Sequence, residues 1–348
     1  MPITHTRTVA SPIGDITLLT LTNANGCSVT LSSLGAGIVE LWVPDREGNL
    51  LDVALGYANA ADYLADGPCM GKTPGRYANR IARGQVAIDG TDYQLPINNG
   101  PNHLHGGPEG FQNRLWTPTP LPDGSRFTLC SPHADMGYPG TMLATVTYRW
   151  ANEGNSLEIR YHALSDRNTI INLTNHTYFN LNGHNSGSVL GHTLCLNSSR
   201  YLPTDPTLIP LGESAPVEGT PMDFRRPKTL GCDMGSHFPA LRYGKGYDNC
   251  WVCNRGHSGE EPIRLWLTGE RSGISLQVAT DQSGVQIYTG NYLSGSPLNK
   301  SGRPYNDYDG VAIECQTPPN APNNPHLDEG RLQAGEPYQR FTTLTFTA

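Results

Sequence analysis

Leu157-Glu158-Ile159-Arg160-Tyr161-His162-Ala163-Leu164 alternates apolar with polar almost throughout, which is the signature of a strand with one packed face and one wet face. Arg126–Cys130 and Thr141–Trp150 precede it with the same composition, and Thr169–Leu173 follows it, rich in β-branched residues. Four neighbouring strands therefore point to a sheet.

Working outward, Ile16–Leu21, Cys27–Leu31 and Gly37–Pro44 read as a meander, and Asp52–Tyr57 holds another short strand. Gln85–Leu95 is a hairpin, since Asp89-Gly90 sits between two alternating runs. Leu190–Leu196, Ile263–Thr268, Ile274–Thr280, Gly284–Asn291, Val311–Gln316 and Arg340–Phe346 continue the strand series. Ala60–Ala65 reads as a helical turn; Tyr201–Asp205, the run to Pro227 and Gly235–Gly246 read as loops. With 39 Gly and 28 Pro among 348 residues, the chain is built for many turns. No linker, charge block or low-complexity run divides it, so the expectation is one all-β domain over residues 1–348.

A net charge of −7 with scattered Lys and Arg excludes a basic patch for nucleic acid or an anionic membrane. Nothing reaches the length of a membrane span and no signal segment opens the chain, so a soluble, cytoplasmic protein is expected. The eight cysteines then read as reduced thiols. Cys250 and Cys253 have the spacing of a redox or half-zinc pair, but no second pair follows and Trp251-Val252 reads as strand interior.

Chemistry concentrates at a few places. Leu173-Thr174-Asn175-His176-Thr177-Tyr178-Phe179-Asn180 surrounds one titratable group with side chains suited to gripping hydroxyls. His176 either closes a strand end through backbone bonds or moves a proton near neutrality. Asn102-His103-Leu104-His105-Gly106-Gly107 places two histidines one residue apart, on one side if the segment is extended. Its paired glycines imply a tight turn or a closely approaching ligand. Gly75-Arg76-Tyr77-Ala78-Asn79-Arg80 offers arginine forks that can hold hydroxyl or ring oxygens, or form a solvated basic loop. Asp248 stands at the mouth of a strand, Gln286 and Tyr288 share a strand face, and Glu314 is a lone carboxylate on an apolar strand. Glu314 is either a general base or half of a structural ion pair.

Taken together and in this order, Gly75–Ile81, Asn102–Gly107, Thr174–Leu181, Asp248-Asn249, Gly284–Asn291 and Glu314-Cys315-Gln316 resemble the aldose 1-epimerase (galactose mutarotase) family over nearly the whole chain. The resemblance implies a large antiparallel β-sandwich of the supersandwich type with a cleft across one sheet. It implies Glu314 as the base that takes the C1 hydroxyl proton of a pyranose, His176 as the acid on the ring oxygen, and His105 as a stabiliser of developing charge. Asn79, Arg80, Asp248 and Gln286 would bind sugar oxygens, with Tyr178 lining the wall. Arg76 competes with Arg80 for the sugar. His103 and Cys315 depart from the motifs around them.

Ring opening by one acid and one base needs no redox change, so no cofactor and no metal are expected. The expected partner is a free monosaccharide, and the expected assembly a monomer or weak homodimer. Rival readings are a hexose-6-phosphate 1-epimerase, which would need further cations at the cleft, a noncatalytic sugar-binding module, and a glycoside hydrolase, for which no second carboxylate is evident beside Glu314.

Overall fold

The computed structural model describes residues 3–151, 153–252, 263–327 and 330–348. Its strands form three large sheets, and every pairing between named strands is antiparallel. Leu157–Leu164 lies within the strand Ser156–Ser165, at the middle of the nine-stranded sheet between Met142–Trp150 and Tyr338–Thr347. Leu157, Ile159, Tyr161 and Ala163 are buried, while Glu158, Arg160 and Leu164 face outward. A five-stranded sheet runs from Ile3–Val9 to Leu50–Asp52, and a six-stranded sheet from Tyr178–Phe179 through Val311–Gln316, Gly284–Tyr288 and Asp248–Val252.

The five- and six-stranded sheets meet where the Leu55 N–H donates to the Tyr178 carbonyl and the Asn180 N–H to the Val53 carbonyl, both at 2.9 Å. Together they cover the nine-stranded sheet, and one apolar core includes Leu31, Ile38, Phe127, Val146, Ile159, Trp251, Ile287 and Ile313 from all three. This is the large antiparallel sandwich that the resemblance implies.

The strand Val311–Gln316 is buried at every position, which is why its sequence shows no clean alternation. Val311, Ile313 and Cys315 point into the sandwich core, and Ala312, Glu314 and Gln316 fall on the opposite face. Cys315 is thereby explained: it is a small apolar filler beside Thr280 and Thr342, on the far side of the sheet from the chemistry.

Several local expectations need correction. The strand leading to His176 is only Thr169–Ile170, paired with Arg331–Leu332. Beyond it the Asn172 backbone bridges to Tyr77, and its side chain adds further bonds, donating to the Ala78 and Thr317 carbonyls at 3.0 Å and accepting the Thr317 N–H at 2.9 Å. Leu190–Leu196 contributes only Thr193–Leu196. Gly235–Gly246 holds a short helix, Pro239–Gly244, started by proline and packed through Ala240 and Leu241. The hairpin at Asp89-Gly90 forms as expected, with positive φ of 52° and 73°. Each described cysteine is a free thiol; Cys253 lies outside the described residues. Among the described residues no helix is long and apolar enough to cross a membrane.

Candidate active site

The outer face of the six-stranded sheet floors a cleft of about 570 Å³. Strand register assembles its floor: Gln286 lies opposite Glu314 and Cys250, while Tyr288 lies opposite Asp248 and Ala312, which in turn pairs with Tyr178. One wall is the His176 stretch. Its backbone is clipped to the segment before it, the His176 N–H donating to the Lys72 carbonyl at 2.8 Å and the Gly71 N–H to the His176 carbonyl at 3.0 Å. Gly71 fits because a Cβ there would stand 1.9 Å from the Ile38 carbonyl oxygen.

The other wall is the pairing of Arg80-Ile81 with His103-Leu104. The expectation that His103 and His105 point the same way fails. His103 is fully buried, its ring between the Pro96 carbonyl (2.7 Å) and the Tyr138 hydroxyl (2.6 Å). His105 breaks the extended run with φ of 52° and turns into the cleft. Gly106 and Gly107 make the expected tight turn, with φ of 80° and 93°, and at Gly106 a Cβ would also meet the Gly75 carbonyl oxygen at 1.7 Å.

His176 Nε2 lies 3.4 Å from Glu314 Oε1, with both side chains nearly shut off from solvent. The His105 ring stands edge-on to His176 at 5.3 Å, and the Tyr178 ring lies 5.0 Å from His176. Tyr178 is fixed by donating to the Pro68 carbonyl at 3.0 Å. Asp248 accepts the Gln286 amide at 2.6 Å and faces the Arg80 guanidinium at 3.8 Å, while Arg80 Nε donates to Asn99 at 3.1 Å. Seven of the eight expected site residues line the cleft; Gln286 stands beneath it, behind Asp248.

Burial dominates the electrostatics. It holds the Glu314 carboxyl well above the usual range, the neighbouring Asp248 carboxylate adding to this and Arg80 opposing it. Burial also pushes His176 down to about 4, and the Lys72 charge acts in the same direction. His105 is held well below its usual value by burial, then by His176 and Arg80. Neutral His105 accepts the Asn79 N–H at Nδ1 (3.1 Å), so its Nε2 carries the hydrogen.

That tautomer bears on metal binding. One donor atom each from His105, His176 and Glu314 lie within 4.8 Å of one another. With His105 Nδ1 engaged and Nε2 protonated, however, the set offers one histidine and one carboxylate, which is a poor cation site.

The two arginines point in different directions. Arg76 is buried away from the cleft, donating to Ser131 Oγ (2.9 Å) and to the carbonyls of Ser131 (2.9 Å), Pro132 (2.7 Å) and Pro139 (3.0 Å). Arg80 faces the cleft. Arg76→Met therefore is expected to cost about 3 kcal/mol of stability or more by orphaning buried carbonyls and to leave the KM of the folded enzyme unchanged. Arg80→Ala is expected to keep its melting temperature and raise KM about tenfold or more. Thermal melts beside saturation kinetics separate the two.

Sequence reading missed the upper rim, where Asn99, Leu208, Tyr292 and Ser296 complete the cleft. They come from loops whose composition carries no signal, apart from Tyr292, an aromatic directly after Gly290-Asn291.

Comparison with known proteins shows the family and the fold. Residues 17–345 match the family described as aldose 1-epimerase. The chain is 41% identical to the galactose mutarotase of Sus scrofa over 319 residues, 92% of this chain and 91% of that one. It is 36% identical to the aldose 1-epimerase of Escherichia coli K12 over 335 residues, 95% of each chain. Among solved structures, an aldose epimerase homologue from C. elegans superposes with a TM-score of 0.84 at 30% identity, covering 99% of both chains.

Proposed function

The chain belongs to the aldose 1-epimerase family, and we propose that it interconverts the α and β anomers of a free aldohexose such as galactose or glucose with Glu314 as base and His176 as acid. The observation that carries the assignment of roles is the 3.4 Å approach of His176 Nε2 to Glu314 Oε1 inside the cleft. At 3.4 Å the two groups are in contact, so a pyranose meets both by lying over the pair, with O1 toward Glu314 and O5 toward His176.

In the opening step Glu314 takes the proton from O1, the C1–O1 double bond forms, the C1–O5 bond breaks, and O5 takes the proton from His176 Nε2. Rotation about C1–C2 turns the aldehyde, and the same transfers in reverse close the ring to the other anomer. The pair carries one exchangeable proton throughout. Opening consumes an imidazolium and a carboxylate and leaves a neutral imidazole and a carboxylic acid. Burial favours that neutral state, as the raised Glu314 and lowered His176 indicate. Burial thus favours the transfers of ring opening and opposes those of reclosure, which regenerate the ion pair. His105, with its hydrogen on Nε2, is a donor for charge developing on oxygen. Arg80, Asn79 and Asp248 are placed to hold the remaining hydroxyls, and Gln286 orients Asp248.

The phosphorylated-sugar reading loses support because Arg80 is the one Lys or Arg among the described residues lining the cleft, and Asp248 already faces it. A hydrolase would need a free second carboxylate, whereas Asp248 is engaged by Gln286 and Arg80.

Polarimetry tests the function. Fresh α-D-glucose or α-D-galactose is expected to reach rotational equilibrium faster with enzyme, at a kcat/KM about 100-fold or more above that for the 6-phosphates, since a dianion finds no matching charge. Equal rates on free and phosphorylated sugars would move the substrate assignment to the phosphate ester.

A further inference from the structure

One buried charge pair takes no part in the chemistry above. The Lys72 ammonium lies 3.1 Å from Asp66 Oδ2, with both side chains sealed from solvent. Lys72 also donates to the Tyr63 carbonyl (2.7 Å) and to Asn113 Oδ1 (3.4 Å). Asp66 accepts the Tyr57 hydroxyl and the Met70 N–H, each at 2.6 Å. Removing both charges from water costs several kcal/mol per ion, and apolar side chains of similar volume often do as well or better for stability alone. Stability is therefore a weak reason for the pair to be there.

Its position offers a stronger one. The segment it ties down, residues 66–72, is the one that seats His176. Besides the two backbone bonds from Gly71 and Lys72, the Gly71 carbonyl accepts the Asn175 amide at 3.0 Å, and the Pro68 carbonyl accepts the Tyr178 hydroxyl at 3.0 Å. Cys69, within the segment, lines the cleft itself. The ion pair spans the segment from end to end, so its geometry is passed to the imidazole through backbone bonds.

We propose that Lys72 and Asp66 are positioning residues for the reaction, clamping the segment on which His176 is seated. The inference rests on the reading of His176 as the proton donor. The Lys72 charge makes the imidazolium a stronger acid toward the ring oxygen, and Asp66, 3.1 Å from that ammonium, offsets the charge. The groups facing His176 from the elements around it are Glu314 on the floor strand, His105 on the opposite wall and Tyr178 two residues on, and the Lys72 charge acts on it from the segment that seats it. Arg80 acts on Glu314 and His105.

The test is a pair of single variants read by the pH profile of kcat. Lys72→Met removes the cation and leaves the Asp66 anion, which eases protonation of His176; the profile is expected to move to higher pH. Asp66→Asn leaves the cation unbalanced, and the profile is expected to move to lower pH. Displacements of about half a pH unit or more in opposite directions, with kcat down about tenfold and KM nearly unchanged, support the proposal. Profiles that stay with the wild type or move together overturn it, because a pair that merely packs lowers the melting temperature without sorting the variants by charge. Should Lys72→Met fail to fold, Asp66→Asn decides alone: a shift to lower pH supports, no shift overturns. An active Glu314→Gln enzyme would instead undo the assignment of the site itself, so the two failures are distinguishable.

Discussion

A Glu314→Gln enzyme is expected to lose about a thousandfold in kcat, the middle of the range for removing a general acid or base, while binding sugar with nearly wild-type affinity. The substitution is close to isosteric. Val311, Ile313 and Cys315, on the core face of the same strand, are untouched, and the register opposite Gln286 is kept. The amide can still meet the O1 hydroxyl but cannot take its proton. Stability is expected to hold or rise by about 1 kcal/mol, because a buried carboxyl that burial strains is replaced by a neutral group. Polarimetry on fresh α-D-galactose reports kcat, calorimetric titration reports affinity, and a thermal melt reports the fold. Full activity would remove Glu314 from the base role; lost binding together with a lowered melting temperature would make it structural.

How much of this was legible beforehand depends on which side of a sheet a residue serves. Strands of the nine-stranded sheet announce themselves, because Leu157, Ile159 and Tyr161 are buried while their neighbours are wet. The six-stranded sheet hides its pattern, since loops cover its outer face and all six residues of Val311–Gln316 are buried. There the informative residue was the one that broke the apolar run, Glu314. His105 was legible as a candidate but not its direction. Its turn depends on a positive φ and on Gly106 pressing against Gly75, a contact 31 residues away in sequence. Arg76 and Arg80 look equivalent on the page of letters; one is swallowed by carbonyls of the Ser131–Pro139 loop, a long-range event without local signature. Lys72 gave no signal for a different reason: its partner Asp66 is only six residues earlier, but nothing in the letters shows that both side chains are buried. Motif order therefore located the site, and tertiary contacts decided which side chains enter it.

His176 carries the second large effect, and the informative measurement is the double variant. His176→Asn is expected to lower kcat by about 100- to 1,000-fold, since O5 then departs without a directed proton. Because the proposed mechanism couples the two groups in one transfer, His176→Asn/Glu314→Gln is expected to be no slower than the slower single variant by more than a few-fold. The pH profiles should differ in kind. In the wild type the pair works while it holds one exchangeable proton. Activity falls in acid when the pair takes up a second proton, with His176 lowered to about 4, and in alkali when Glu314, well above its usual range, gives up the last. His176→Asn leaves one ionising group, so its residual rate should climb with pH as Glu314 ionises and then stay level, without the alkaline fall. Multiplying losses in the double variant would mean that the two residues act at separate steps. An unchanged bell in His176→Asn would place the acid elsewhere, with His105 the nearest candidate at 5.3 Å between ring centres.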